Sequence, residues 1–280
     1  MDAIVHRISA WDGLPLCVRE WRDGNTRTPI LCLPGIVRTG ADFDTLAHAL
    51  GAGRRVIAPD YAGRGASGRS HDINRYAPEA VLRDVQDLCA ALHVHKAIAI
   101  GTSFGGLLSL GLNAMRPTLL RAVVMNDIGP DLAPAGTDFV QRFIGNDASF
   151  ADLDAAVAYL RSVLPHLSID TDDAWHAMTA LTYAADGNGR LRPTWDTRIA
   201  RLMNGKTPDL WPLFGGIAHL PLLLVWGEAS NILLPATIAR MQSVHPDMKL
   251  VSLPGIGHAP TLNEPEIVAA LHDFLGQAAA

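Results

Sequence analysis

Short apolar runs alternate with longer amphipathic segments over most of the chain, and one long interruption breaks this pattern. The first two runs flank Asp12 and Gly13, a pair typical of a two-residue β-hairpin turn. We predict eight strands, at 4–10, 14–21, 29–33, 55–59, 96–101, 121–125, 222–226 and 249–253. Helical spacing of apolar residues separates the later runs, as in 81–92. Such alternation predicts an α/β fold with a mostly parallel eight-stranded sheet covered by helices on both faces.

The interruption covers residues 131–216, where the pattern predicts amphipathic helices and no convincing strand. A strand, a helix from about 236, a last strand and a final helix at about 266–275 then complete the core. We therefore predict core segments at 1–130 and 217–280, with a helical cap inserted at 131–216. Both ends of the insertion adjoin the carboxyl ends of strands, so the cap is expected to close a pocket there.

Composition and charge argue against partners such as nucleic acids and membranes. Hydrophobic residues make up 49% of the 280 residues, and 28 acidic and 23 basic side chains leave a net charge of −5 without a basic block. A nucleic-acid partner is therefore not expected. The chain start lacks a signal-peptide pattern, and no apolar run reaches membrane-spanning length, so we expect no membrane partner. The three cysteines, Cys17, Cys32 and Cys89, lie in apolar stretches and indicate buried thiols and a cytoplasmic protein.

The strongest chemical signal is Gly-Thr-Ser-Phe-Gly at 101–105, between an apolar strand and a helical segment. In this context Gly-x-Ser-x-Gly predicts a nucleophile elbow, in which glycines on either side of Ser103 allow close backbone approach and the hydroxyl is exposed. A serine hydroxyl needs a neighbouring base at neutral pH. Among 11 histidines, His258 follows the last predicted strand and so emerges at the same sheet edge as Ser103.

A tetrahedral intermediate also needs two donors for its oxyanion. The N–H of Phe104, the residue after the nucleophile, is one candidate. The other is the N–H of Ile36, which follows Pro34 and Gly35 after the third strand. An ordinary Pro-Gly turn is the alternative at that position.

These motifs resemble the α/β-hydrolase superfamily, specifically its capped serine hydrolases, which include esterases, enol-lactonases and carbon-carbon bond hydrolases. The resemblance covers nearly the whole chain and includes the loop 57–67, in which Asp60, Arg64 and Ser67 are expected to stabilise the loop rather than catalyse. Where this chain has Pro34-Gly35, the family often has His-Gly. The resemblance implies an order of serine, acid and histidine along the chain.

The acid is where this chain departs from that pattern. The family normally has the triad aspartate at the position of Asn231, and an amide cannot stabilise the imidazolium that forms on His258. The hypothesis we favour is that Asn231 replaces an aspartate in an otherwise ordinary hydrolase, with a large loss of rate. A second is that Asp127, just past the neighbouring strand, supplies the carboxylate. Glu228 is a weaker third candidate.

The expected substrate is a small ester or lactone, cleaved through an acyl-enzyme. A carbon-carbon bond hydrolase of a diketone-like compound and a non-catalytic ligand-binding pseudoenzyme remain alternatives, and Asn231 is the feature that supports the pseudoenzyme.

No nucleotide-binding motif and no His/Cys cluster appears, so no cofactor and no metal are expected. A homodimer is a possible assembly. Arg38 is either a contact for a substrate carboxylate or a solvated arginine. Aromatic side chains of the insertion are expected to pack mainly inside it: Phe139, Phe143, Tyr159, Trp175, Tyr183, Trp195 and Trp211.

Overall fold

The computed structural model describes residues 2–22, 27–51, 53–205 and 208–278. The strands are β1 (Ile4–Ser9), β2 (Pro15–Arg22), β3 (Ile30–Leu33), β4 (Arg55–Asp60), β5 (Ala97–Thr102), β6 (Leu120–Asn126), β7 (Tyr183–Ala185), β8 (Leu191–Pro193), β9 (Leu222–Gly227) and β10 (Lys249–Leu253). The α-helices are α1 (Asp44–Leu50), α2 (Pro78–Ala91), α3 (Phe104–Met115), α4 (Pro134–Gly145), α5 (Leu153–Val163), α6 (Asp172–Thr182), α7 (Trp211–Gly215), α8 (Pro235–Val244) and α9 (Pro265–Ala278).

Eight strands form one sheet in the order β1-β2-β4-β3-β5-β6-β9-β10, which confirms the predicted α/β fold. The first two pairings, β1 with β2 and β2 with β4, are antiparallel, and all later pairings are parallel. The strands β5, β6 and β9 are therefore consecutive neighbours. Because they run parallel, the residues that follow them meet at one edge of the sheet.

The sheet is buried on both faces, which explains the uninterrupted apolar runs in its central strands. In β5, Ala97 and Ala99 join one apolar cluster, while Ile98 and Ile100 join the cluster on the opposite face. Successive side chains of a strand point to opposite faces, so each face receives every second residue. The rigid, doubly covered sheet thereby provides a fixed base for the loops at its carboxyl edge.

The segment between β6 and β9 is not purely helical, and the prediction of no strand there is wrong. Besides α4 to α7 and a 3-10 helix at Thr197–Asn204, it contains β7 and β8, which pair antiparallel. Each of the two strands has only three residues, too few for an alternating pattern to be visible. Their turn is held by Asp186, whose carboxylate accepts hydrogen bonds from the backbone N–H groups of Asn188 and Arg190.

The three cysteines are free and buried, as predicted. Burial raises the pKa of the Cys89 thiol to about 12 and also raises the pKa of Cys17 and Cys32. All three therefore behave as small apolar side chains. Within the described residues, no helix combines the length and the apolar character that crossing a membrane requires.

A buried carboxylate connects β1, β2 and β4 at one side of the sheet. The Glu20 side chain is inaccessible to solvent and accepts hydrogen bonds from Arg22 (2.6 Å), Arg55 (2.6 Å) and His6 (2.7 Å). Burial by itself raises the pKa of Glu20, but these hydrogen bonds outweigh it, so the pKa lies below its usual value. The ionised form is therefore favoured by folding.

We expect Glu20→Gln to lower the free energy of unfolding at pH 7 by about 3 kcal/mol, because the neutral amide leaves the largely buried guanidinium group of Arg55 without its counter-charge. A carboxyl with a lowered native pKa contributes stability above its unfolded pKa and loses it as the pH falls through the native pKa. The difference between variant and wild type should therefore shrink below about pH 4. Urea unfolding at several pH values measures this. Glu228→Gln, at an exposed glutamate, is the control, and an equal effect of both variants would contradict the prediction.

Candidate active site

Ser103 lies at the sharp reversal between β5 and α3, with a left-handed backbone (φ 53°) that is strained for a side-chain-bearing residue. The flanking glycines are required by close packing. A Cβ on Gly101 would lie 2.4 Å from the carbonyl of Gly105, and a Cβ on Gly105 would lie 1.9 Å from the carbonyl oxygen of Leu33. The turn therefore requires glycine two residues before and two residues after the serine.

A chain of two hydrogen bonds joins Ser103, His258 and Asp127. The Nε2 atom of His258 lies 2.9 Å from Ser103 Oγ, and its Nδ1 atom lies 2.7 Å from a carboxylate oxygen of Asp127. With the proton on Nδ1 donated to the carboxylate, Nε2 accepts the hydrogen bond of the serine hydroxyl. This arrangement can activate a hydroxyl as a nucleophile.

Asp127 is completely buried and follows β6 directly, with a left-handed backbone (φ 54°). One carboxylate oxygen faces His258, and the other accepts a hydrogen bond from the backbone N–H of Gly227 at 3.0 Å. Gly227 is the last residue of β9, the strand next to β6. The neighbouring strand therefore orients the carboxylate toward the histidine.

The structure corrects the expectation that Asn231 occupies the acid position beside His258. Asn231 and Glu228 are both exposed, and within the described ranges neither side chain contacts His258. In the loop after β9, the Ser230 hydroxyl accepts the backbone N–H groups of Ile232 and Leu233 at 3.2 and 3.3 Å, so the loop forms a tight turn around Asn231. The alternative carboxylate, Asp127, is the one that meets the histidine.

Asn126 is a buried residue of the site that sequence reasoning missed. Its amide donates to the carbonyl of Pro260 at 2.9 Å and to the hydroxyl of Thr102 at 3.1 Å. It thereby connects the loop that carries His258 to the end of β5. The sequence signal that could have indicated Asn126 is its place as a polar residue at the end of an otherwise mostly apolar strand, directly before Asp127.

Two backbone N–H groups near the nucleophile, those of Ile36 and Phe104, have no hydrogen-bond partner in the described part of the chain. Phe104 is the first residue of α3, where the N–H groups are unpaired and the helix dipole is positive. In the peptide that links Gly35 to Ile36, the carbonyl accepts the N–H of Arg38 at 3.0 Å. Because the N–H of a trans peptide points opposite to its carbonyl, this bond sets the direction of the Ile36 N–H.

The Arg38 side chain forms hydrogen bonds with other side chains of the protein. Its guanidinium donates to the carboxylate of Asp42 at 2.5 and 2.7 Å and to the hydroxyl of Thr182 at 2.6 Å. The arginine therefore links the loop after β3 to α6. These contacts leave it poorly suited to receive a substrate carboxylate.

The aromatic side chains of the insertion pack mainly against one another, as predicted. Phe143 stacks on Trp195 with ring centroids 5.7 Å apart, and Phe150 meets Tyr183 edge to face at 4.9 Å. Trp195 and Tyr183 belong to an apolar cluster that also contains Val37, from the loop after β3. Insertion and core therefore share one packed interior beside the site.

Comparison with known proteins agrees with this fold. The family model for the alpha/beta hydrolase fold matches residues 28–265, and the chain belongs to that family and is a hydrolase of its type. It is 32% identical over 270 residues to a 3-hydroxybutyrate-oligomer hydrolase of Cupriavidus necator, covering 92% of each chain. It is 29% identical to a 2-(acetamidomethylene)succinate hydrolase of Mesorhizobium japonicum over 94% of this chain and 92% of that protein.

A solved structure of an alpha/beta hydrolase from Novosphingobium aromaticivorans superposes with a TM-score of 0.93 at 37% identity, covering 99% of both chains. The crystal structure of an E-2-(acetamidomethylene)succinate hydrolase superposes with a TM-score of 0.83 at 28% identity, over 98% of this chain and 99% of that one.

Proposed function

We propose that this protein is a serine carboxylic-ester hydrolase that cleaves a small ester or lactone through an acyl-enzyme. The observation that carries the proposal is the hydrogen-bond chain from Ser103 through His258 to Asp127. The contact of Asp127 with His258 supports Asp127, rather than Asn231, as the acid, and it favours an enzyme over a pseudoenzyme.

In the first half of the reaction, Ser103 Oγ attacks the ester carbonyl carbon while His258 Nε2 takes the hydroxyl proton. The carbonyl oxygen becomes an oxyanion, which accepts hydrogen bonds from the N–H groups of Ile36 and Phe104. The tetrahedral intermediate collapses when the ester C–O bond breaks. His258 gives its proton to the departing alkoxide, and the alcohol leaves.

In the second half, water attacks the acyl group on Ser103, and His258 takes a proton from that water. A second tetrahedral intermediate forms in the same oxyanion site and then releases the carboxylic acid, with the proton returned to Ser103. Throughout, the buried carboxylate of Asp127 stabilises the imidazolium form of His258 and holds the ring in the productive orientation. Water is the only cosubstrate in this scheme.

The name of the relative from Cupriavidus necator supports a choice of substrate to test first. Oligomers of 3-hydroxybutyrate contain ester bonds between small hydroxy acids, which suits the proposed reaction. We therefore propose an ester of a short hydroxy acid as the substrate class, with the dimer and trimer of 3-hydroxybutyrate as first compounds.

We further propose that the segment between β6 and β9 acts as a cap over the site. A direct contact with the histidine loop supports this: the N–H of Gly257 donates to the carbonyl of His166, in the insertion, at 2.7 Å. In addition, the hydroxyl of Ser168 donates to the carboxylate of Glu264, just after that loop. The proposed cap therefore forms hydrogen bonds with the loop that carries His258 and with Glu264 after it.

The proposal predicts that a fluorophosphonate probe labels the protein at Ser103 and that the protein hydrolyses 4-nitrophenyl butyrate. Ser103→Ala should remove the label and lower kcat by about 10⁶-fold, because the group that forms the acyl-enzyme is gone. Labelling is read by intact mass and peptide mapping, and turnover by release of 4-nitrophenol.

Ser109→Ala is the matched control. Ser109 is a buried serine of α3, the helix that follows Ser103, and its hydroxyl donates to the carbonyl of Gly105. It should keep both label and turnover. A folded wild-type protein that takes no label would overturn the proposal. Labelling combined with cleavage of a diketone and no ester turnover would assign the carbon-carbon bond reaction instead.

A further inference from the structure

Three successive carbonyl groups in the loop after β3 are each held by a donor. The carbonyl of Pro34 accepts the hydroxyl of Tyr61 at 3.2 Å, and that of Gly35 accepts the N–H of Arg38. The carbonyl of Ile36 accepts Nε of Arg64 at 2.8 Å. The peptide that presents the Ile36 N–H is thus restrained on both sides, and two of the three donors are side chains from the loop after β4.

Tyr61 contacts Phe104 and the loop that carries Ile36. Besides the hydrogen bond of its hydroxyl to the loop before Ile36, its ring lies edge to face on the Phe104 ring, with centroids 5.8 Å apart. The side chain is 1% exposed. Burial raises the pKa of the Tyr61 hydroxyl well above its usual value, so the group stays protonated and acts as a donor.

Arg64 is an unusual buried cation. It is 1% exposed, and within the described ranges it has no hydrogen bond to a carboxylate. Its Nε and Nη1 atoms donate to the carbonyls of Ile36 and Ala62, and Nη2 has no hydrogen-bond partner among the described residues. The guanidinium lies 5.8 Å from the ring centroids of Tyr61 and Tyr76. Burial lowers the pKa of the guanidinium to about 10, so it remains charged at neutral pH.

The position of Arg64 also connects the site to the insertion. Its backbone forms an antiparallel bridge with Trp195, and the N–H of Gly65 donates to the carbonyl of Thr194 at 2.9 Å. A buried guanidinium without a carboxylate is costly to desolvate, and backbone carbonyls offset only part of that cost. An apolar side chain of similar volume would fill the same interior without this cost, but it could not hold the carbonyl of Ile36.

We propose that Tyr61 and Arg64 are positioning residues of the oxyanion site, which orient the N–H groups of Ile36 and Phe104 toward the developing negative charge. The inference rests on the proposed esterase function and deepens it. Neither side chain touches the reacting atoms. They act by preventing the loop after β3 from rotating, so that no reorganisation is needed when the intermediate forms.

Tyr61→Phe tests this with the smallest change, because it removes only the hydroxyl that holds Pro34. We expect kcat for 4-nitrophenyl butyrate to fall about 10-fold with KM unchanged, less than the 10²- to 10³-fold loss from deleting an oxyanion donor. Inhibition by a trifluoromethyl ketone, which forms an oxyanionic adduct with the serine, should weaken in proportion. Arg64→Lys should lower kcat and the affinity for the ketone further. Lysine keeps the positive charge but lacks the planar guanidinium group that donates to the carbonyls of Ile36 and Ala62.

Tyr76→Phe is the matched control. Tyr76 is equally buried and also lies against Arg64, but its hydroxyl bonds to Ser70 and Asp196, away from the oxyanion loop. It should lower the midpoint of thermal unfolding at least as much as Tyr61→Phe does, because its hydroxyl also bonds to a carboxylate, while leaving kcat and the ketone affinity unchanged. Equal kinetics for the two phenylalanine variants would overturn the inference, provided that the wild type is active. A wild type without label or turnover would instead overturn the proposed function.

Discussion

Asp127→Asn should lower kcat for ester hydrolysis by about 10⁴-fold while the protein stays folded. The amide oxygen can still accept the N–H of Gly227, which leaves the NH₂ group facing Nδ1 of His258. Nδ1 must then be the acceptor, and the proton moves to Nε2, where it prevents the ring from taking the proton of Ser103. The loss of negative charge also removes the stabilisation of the imidazolium.

Asn231→Asp is the paired variant, and we expect it to leave kcat unchanged because Asn231 is exposed and does not meet His258. Steady-state kinetics with 4-nitrophenyl butyrate measure both variants, and circular dichroism and thermal unfolding verify that each is folded. A large gain from Asn231→Asp, together with a small loss from Asp127→Asn, would show that the acid belongs to the loop after β9.

Gly105→Ala should destabilise the protein by about 4 kcal/mol or more, at the limit of what single substitutions cause. The new Cβ would lie 1.9 Å from the carbonyl oxygen of Leu33 and 2.8 Å from that of Pro34. Both obstacles are backbone atoms, which cannot rotate away as a side chain would. Either α3 moves off the sheet or the loop after β3 is displaced, and the second outcome also disturbs the oxyanion site.

Gly276→Ala is the control for helical glycines, since a Cβ there would meet nothing within 4 Å. It should stabilise α9 by up to about 1 kcal/mol, the usual difference between alanine and glycine in a helix. Urea unfolding of the two variants gives the comparison. Equal unfolding midpoints for Gly105→Ala and the wild type would mean that the elbow tolerates a side chain.

The strands of the large sheet were predictable because each face of a buried strand demands apolar side chains. The run at 222–226 predicts β9 (Leu222–Gly227), and the run at 96–101 predicts β5 (Ala97–Thr102), each within one residue. The short pair β7 and β8 was not predictable, because three residues carry no period. Their pairing depends on a turn at Asp186 and on packing against the core.

The site was predictable in part. Glycine spacing around Ser103 and the place of His258 after the last strand indicated both residues, which the structure brings within 2.9 Å. The Tyr61 and Arg64 contacts with the oxyanion loop carry no sequence signal of their own. They arise because the loops after β3 and β4 lie side by side at the sheet edge.

The amino-acid sequence by itself determined the eight strands of the large sheet, their burial and the strained turn at Ser103, because these depend on local periodicity and on the positions of glycine. Only the tertiary structure decided which side chain supports His258. β6 and β9 are adjacent and parallel, so sequence spacing places residues after either strand near the histidine. The choice of Asp127 over Asn231 follows from the left-handed backbone after β6 and from the turn after β9, in which Asn231 is exposed.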